Sequence, residues 1–242
     1  MPFSPKPRVN SSTRPCGLSR THAIGLGGLE FLPDLSGALY APDFKALLVA
    51  DLHLEKGSSL ARRGVHLPPY DTRESLAQLR AVIASVKPEQ LIFLGDSFHD
   101  GQARQRIDAT DLADLRALTR DFRTIWITGN HDPEPPEDIG GVIMDEVALG
   151  PVTLRHQPRV LGDDEMEIAG HLHPAASIAQ RGRRIRCRCF IADARRMIMP
   201  AFGSYTGALS ISSQAFDGLF GDYHVWMLGA RAIHRFPDSK VR

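Results

Sequence analysis

Cysteine is scarce in this 242-residue chain, with Cys16, Cys187 and Cys189 the only three. So few thiols build no disulfide framework. The single residue between Cys187 and Cys189 gives neither a CxxC redox pair nor a four-thiolate zinc pattern. Reduced cysteines and a cytoplasmic protein are therefore expected. An excess of either charge is also missing: 29 Lys and Arg face 28 Asp and Glu, for a formal net charge of +1. That balance steers the molecule toward neither nucleic acid nor an anionic surface, so any anion binding must come from a local patch. No apolar run reaches the length of a membrane span. The start of the chain, basic and dotted with proline, lacks the continuous apolar core of a secretory signal. No membrane partner is expected.

What is present is an ordinary globular composition, 43% hydrophobic and 24% charged, in a chain long enough to bury a core without cross-links. Residues 1–22, rich in Pro, Ser and Arg, read as a disordered arm, and 23–242 as a single domain. Two or three short strands are expected between Ile24 and Asp51. Ala46–Ala50, Leu91–Leu94 and Thr124–Ile127 are continuous apolar runs of strand length. Between them, Asp71–Val86 and Asp108–Arg120 carry leucine, valine and isoleucine at helical spacing, the first ended by Lys87-Pro88. Strand alternating with helix predicts parallel pairing. Beyond Pro133 the runs are short, around 142–144, 152–154, 166–169, 185–191, 197–199 and 223–228, and the second half reads as mostly strands.

The residues that follow these runs carry the chemistry. Asp51-Leu52-His53 follows the first run and Gly95-Asp96 the second. The third run is followed by Gly129-Asn130-His131-Asp132, and His156 and Gly170-His171-Leu172-His173 follow two later ones. In an open parallel sheet, ligands gather outside the carboxyl ends of the strands. A lone GD pair is ordinary turn chemistry and a lone histidine an ordinary side chain. Five such ends in one chain point to a shared site. Asp51, His53, Asp96, Asn130, His156, His171 and His173 offer imidazole nitrogens and hard oxygens without sulfur, which suits Mn, Fe or Zn. Seven donors exceed one tetrahedral ion and suit two ions sharing a carboxylate, which lower the pKa of a shared water and clamp a phosphate for in-line attack.

This ordered set resembles the calcineurin-like metallophosphoesterase superfamily. The resemblance implies a four-layer α-β-β-α sandwich, two mixed β-sheets flanked by helices. It implies that Asp51, His53 and His173 hold one metal, that Asn130, His156 and His171 hold the other, and that Asp96 bridges them. His131 would bond the scissile phosphate or protonate the leaving oxygen, with Asp132 able to orient its imidazole. Gly95–Gly101 lacks the Asp-Arg-Gly ending of the phosphoprotein phosphatases. His99 stands where purple acid phosphatases place a ligand tyrosine. The GDSFH stretch is similar to one in the nuclease subunits of double-strand-break repair complexes, in which the histidine matching His99 helps engage DNA. Together with ADLHLEKG (50–57), TGNHDP (128–133) and PAFGSYTGAL (200–209), it resembles the ligase-associated DNA damage response endonuclease (PdeM) family. That resemblance runs from about residue 24 to the C-terminus. It implies an endonuclease of DNA repair that cleaves phosphodiester bonds by metal-hydroxide attack. It also implies two divalent ions, manganese first with iron or zinc as alternatives, single-stranded DNA as substrate, and association with a helicase and a DNA ligase.

Lys56, Arg62 and Arg63 follow the first motif and are candidate phosphate contacts, with solvated charge the bland alternative. In Arg184–Cys189 arginine alternates with apolar residues. The period puts three arginines on one face of a strand, and a solvated outer face is expected before a DNA track. A phosphoesterase or pyrophosphatase acting on nucleotides or other small phosphodiesters is the alternative function. A non-catalytic scaffold is the third reading, weakened because no ligand position is missing.

Overall fold

The computed structural model describes residues 22–65, 67–68, 70–180 and 182–242, so the expected arm lies, apart from His22, outside the described residues. The first sheet is formed by β1 (Ile24–Leu26), β2 (Leu29–Pro33), β3 (Leu39–Ala41), β4 (Ala46–Val49), β5 (Gln90–Leu94), β6 (Arg123–Ile127) and β7 (Val142–Met144). They lie side by side in chain order. β1 to β4 pair antiparallel, and β4 to β7 pair parallel. Four α-helices interrupt these strands: α1 (Lys56–Arg62), α2 (Asp71–Val86), α3 (Ala103–Arg106) and α4 (Ala109–Asp121). The helix expected from Asp108 begins one residue later because Asp108 is its cap, its side chain accepting from Thr110 N at 2.8 Å. α2 spans the expected residues and closes on Lys87, left-handed at φ 51°, whose N–H donates to Ile83 O just ahead of Pro88.

The second sheet comprises β8 (Glu146–Leu149), β9 (Val152–Arg155), β10 (Met166–Ala169), β11 (Pro174–Gln180), β12 (Arg183–Ala192), β13 (Arg196–Ile198), β14 (Leu209–Ser210), β15 (His224–Leu228) and β16 (Ile233–Pro237). Its order is β14-β11-β12-β13-β10-β9-β8, with β15 and β16 joined through β12. β9, β10 and β13 are parallel neighbours, and the rest of the sheet is largely antiparallel.

The apolar runs are continuous because β4, β5 and β6 are covered on both faces. Leu48, Ile92 and Ile125 face the second sheet and meet Leu154, Ile168 and Phe190. Their neighbours Leu47, Phe93 and Trp126 point the other way, onto Leu76 and Leu79 of α2 and Leu115 of α4. Phe93 and Trp126 stack there with ring centroids 4.2 Å apart. A third cluster lies on the far face of the second sheet. There Cys189, Ile191 and Val225 are covered by Ile211 and Phe216, and Phe216 belongs to a 3-10 turn. The four-layer order is thus met, with a thin last layer built largely from loop.

Two consequences position the site. Strands β4, β5 and β6 run parallel, as do β9 and β10, so the motifs after each of them emerge where strands end. Backbone hydrogen bonds then tie the ends together: His53 N donates to Asp96 O at 2.8 Å, and Gly170 N to His156 O at 3.0 Å. Among the described residues no helix is long and apolar enough to cross a membrane.

Candidate metal centre

Strain marks the site before any side chain is considered. Asp51, His53, Asp96, His171 and His173 have φ between 45° and 67°, a region non-glycine residues rarely enter. Backbone of this kind persists only where its surroundings over-determine it, and it clusters at functional sites. Here the loops lock one another. His171 N donates to Asp51 Oδ2 at 3.0 Å, and His131 N to Asp96 Oδ1 at 2.9 Å. Gly129 permits this closeness, since a Cβ there would lie 2.2 Å from Asp96 N.

Two imidazoles are turned inward by carbonyls. His156 Nδ1 donates to Leu94 O at 3.0 Å, and His173 Nδ1 to Gly207 O at 3.2 Å. Those bonds fix the proton on Nδ1 and leave the Nε2 lone pairs facing the centre. His156 Nε2 then lies 2.9 Å from Asn130 Oδ1, 3.3 Å from Asp96 Oδ1 and 3.2 Å from His171 Nδ1. His173 Nε2 lies 3.2 Å from Asp51 Oδ1 and 3.4 Å from His53 Nε2. Acceptors that converge on acceptors in a buried place repel unless a cation or a proton sits among them. The donor set therefore fits divalent ions, in two groups: Asp51, His53 and His173, and Asp96, His156 and His171. Asp96 faces both, its Oδ1 toward His156 and its Oδ2 3.8 Å from His53 Nε2.

Electrostatics separates the two groups. Burial pushes the His53 imidazole well below its ordinary value, keeping it neutral and ready to bind metal. Burial acts on His156 in the same direction, but its hydrogen bond to Asp96 and the charges of Asp51 and Asp96 prevail and raise it.

His131 lies at the rim. Its Nδ1 donates to the His99 carbonyl at 2.8 Å, which leaves Nε2 open, 4.0 Å from Asp96 Oδ2. The expectation that Asp132 orients this imidazole is corrected. Asp132 is buried behind the bridging loop, where its Oδ2 accepts from Phe98 N at 3.0 Å and Oδ1 has no partner. Burial pushes its carboxyl up to about 7. The reason is geometric: the tight turn after Gly129 sends successive side chains in different directions, so neighbours in sequence do not share a partner.

His99 stacks on His131 at 5.2 Å and meets His53 edge-on at 5.5 Å. Burial, then the charge of Lys56, pushes it down to about 4, so it acts as a neutral ring. Lys56 is half-buried at the start of α1, close enough for its charge to bear on both His53 and His99. Arg63 is exposed and its charge also reaches His99. Arg62 differs, since its guanidinium donates to Gln102 Oε1 at 2.6 Å on the surface.

Sequence reasoning missed α1, which has no apolar period, and the buried network that seats it. Arg106 donates to both oxygens of Asp100 at 2.9 Å and to Ser58 Oγ at 2.9 Å. Against the effect of burial, those bonds hold the Asp100 carboxyl down at about 2. Glu55, buried at φ 67°, bonds Thr72 and Ser58. PAFGSYTGAL also gains a physical reason. Phe202 N and Gly203 N donate to Ala50 O and Asp51 O, Leu209 N donates to His173 O, and Gly207 O holds the His173 ring. The segment braces the loops of one metal group from behind. Its signal was the cluster of small residues, which also fits a plain turn.

The solvated face expected of Arg184, Arg186 and Arg188 is found at Arg184 and Arg186, which are exposed, and is corrected only at Arg188. Arg188 is partly buried and donates to Ala201 O at 2.6 Å, and Arg186 donates to Ala208 O at 2.5 Å. The face they share is the one on which Phe190 and Ala192 enter the core between the sheets.

Residues 44–175 match the family model for the calcineurin-like phosphoesterase. The chain is similar to a nuclease, MPE, from Pseudomonas putida, with 30% identity over 88% of this chain and 99% of that one and a TM-score of 0.70. A looser likeness is to YfcE, a phosphoesterase from E. coli, with 14% identity over 79% and 97% of the two chains and a TM-score of 0.43. No curated protein resembles the chain closely enough to count as a match.

Proposed function

The chain belongs to the calcineurin-like phosphoesterase family, and we propose that within it the protein is a metal-dependent DNA phosphodiesterase, an endonuclease of DNA repair. The observation that carries this reading is the likeness to a nuclease over nearly the whole chain, with every donor of the two metal groups in place. These groups would hold two divalent ions, manganese in this proposal, which would supply water activation and neutralise charge on a bound phosphodiester. Asn130 completes the group of His156 and His171, and Asp96 serves both groups.

The remaining steps fall to this chain's own residues. The His99 carbonyl fixes His131 so that Nε2 faces the reacting phosphate, where the imidazolium form bonds an oxygen, passes its Nε2 proton to the leaving oxygen and keeps the Nδ1 proton on the carbonyl. The neutral His99 ring stacks behind it and limits its rotation. Lys56, Arg62 and Arg63 place positive charge beside the phosphate, Arg62 with the donors its bond to Gln102 leaves over. Single-stranded DNA as substrate, a cytoplasmic site of action, and work beside a helicase and a ligase complete the proposal.

Circular single-stranded DNA tests it, since a circle has no ends and only endonuclease activity linearises it. With manganese the wild type is expected to cut the circle. His131→Ala should lose most of the cutting while keeping its metal, read by elemental analysis. A wild type that leaves the circle intact but hydrolyses bis-p-nitrophenyl phosphate would favour small phosphodiesters, the reading that the net charge of +1 suits.

A further inference from the structure

We propose that the amino-terminal half of β12 is a track for the phosphodiester backbone of single-stranded DNA, leading to the metal centre along the 200–209 segment. The inference rests on the DNA reading above and adds where the strand lies.

Its first support is which arginines are left without a counter-charge. Elsewhere in the described residues arginines are commonly tied to carboxylates, among them Arg73, Arg104, Arg106, Arg155 and Arg196. Arg183, Arg184, Arg186 and Arg188 lie within six residues of one another, and none of them pairs with a carboxylate among those residues. A nearly neutral protein has thus concentrated uncompensated positive charge on one strand.

The register supplies the second support. Arg184, Arg186 and Arg188 stand opposite Ala179, Ser177 and Ala175 of β11, so small side chains share their face and no acidic one does. Alternate residues of a strand lie about 7 Å apart, which gives a linear row of guanidiniums suited to a single extended backbone. Each guanidinium has five N–H donors. Arg186 spends one on Ala208 O, and Arg184 is exposed without a hydrogen bond among the described residues.

Continuity with the site is the third. Arg186 is bonded to Ala208, whose neighbours on either side hold His173: Gly207 O accepts from its ring, and Leu209 N donates to its carbonyl. Arg188 holds Ala201 at the other end of the same segment. The row therefore starts beside a candidate metal ligand and runs outward as β12 leaves the core. Contacts of this kind position a strand without reading its sequence.

The test compares the manganese-loaded wild type with Arg184→Gln and with the double variant Arg184→Gln/Arg186→Gln. Cleavage of a labelled single-stranded oligonucleotide is followed at several salt concentrations, with bis-p-nitrophenyl phosphate as a second substrate. Each lost phosphate contact should flatten the slope of log affinity against log salt by about 0.7, so the double variant should lose about 1.4. Its KM for the oligonucleotide should rise about tenfold, and its kcat/KM for DNA relative to the small substrate should fall to match. Arg123→Gln, at the opposite end of β6 from the site, should behave as wild type. Because the exposed Arg184 side chain has no hydrogen bond or ion pair among the described residues, its single variant answers even where the double one is unstable. A wild-type KM and salt slope in both variants overturns the track alone. An equal loss in Arg123→Gln overturns its location. A wild type that hydrolyses the small substrate but neither binds nor cuts the oligonucleotide overturns the DNA reading and the track together.

Discussion

The two metal groups are built from similar side chains but on different foundations. In one, Asp51, His53 and His173 all sit in left-handed backbone, near φ 50°, on loops that follow β4 and β10. In the other, Asp96 and His171 do, but His156 does not and leans on the carbonyl of Leu94, the last residue of a central strand. The first group takes its bracing from 200–209, far away in sequence, and the second from the sheet itself. The strained loops of Asp51, His53 and His173 lean on an outside brace, whereas the position of His156 is inherited from the core. The electrostatics differ in step: burial keeps His53 neutral, whereas on His156 the effect of burial is outweighed by Asp96 and Asp51, which raise it.

Removing what the groups share should have the largest effect. Asp96→Ala is expected to lower phosphodiester cleavage by about a thousandfold or more and to drop metal content below two ions per chain by elemental analysis. Retention of both ions would show that the groups do not depend on this carboxylate. Gly203→Ala breaks the comparison on one side only. Its Cβ would meet Leu52 O at 2.0 Å, pushing the brace off the strained loops. Misplacement on the ångström scale should cost about a hundredfold in kcat, with metal lost first from the Asp51 group. An equal loss from both groups would mean that the brace is not selective.

Asp132→Asn probes the buried turn behind the second group. The carboxyl is raised to about 7 in the folded chain, above its unfolded value, so its contribution favours folding below that unfolded value and is lost as pH rises through 7. Metal-free Asp132→Asn should therefore gain on the wild type between pH 4 and 8, by roughly 2 kcal/mol at the upper end. Thermal unfolding across that range reads the gain, and parallel curves would mean that the carboxyl is not raised. Gln157→Ala should do least. It removes an exposed 3.3 Å bond to Asn130 Oδ1, which is worth about 1 kcal/mol or less. Metal affinity of the second group, by calorimetry, should fall less than about tenfold.

Much of the first sheet could be read in advance because its signals are local. Leu47-Leu48-Val49, Leu91-Ile92-Phe93-Leu94 and the helix from Asp71 each announce themselves within a few residues by period and by what ends them. β11 and β16 could not be read in this way. Pro174–Gln180 and Ile233–Pro237 have mixed composition and become strands by pairing with β12 and β15. α1 was invisible for a similar reason, since Lys56–Arg62 is held by Asp71 and Arg106, with its cap Glu55 held by Thr72, and lacks an apolar stripe of its own.

The sequence alone determined the donor set and its placement at strand ends, because an apolar run and a donor side chain, at three of the five ends with a glycine between them, are close along the chain. Tertiary structure decided what each donor leans on. His131 took the His99 carbonyl and left Asp132 aside, His173 took Gly207, and the arginines of β12 turned toward the 200–209 segment. A hydrogen bond needs its partner within about 3 Å, and residues that distant in sequence come so close only after both sheets have packed.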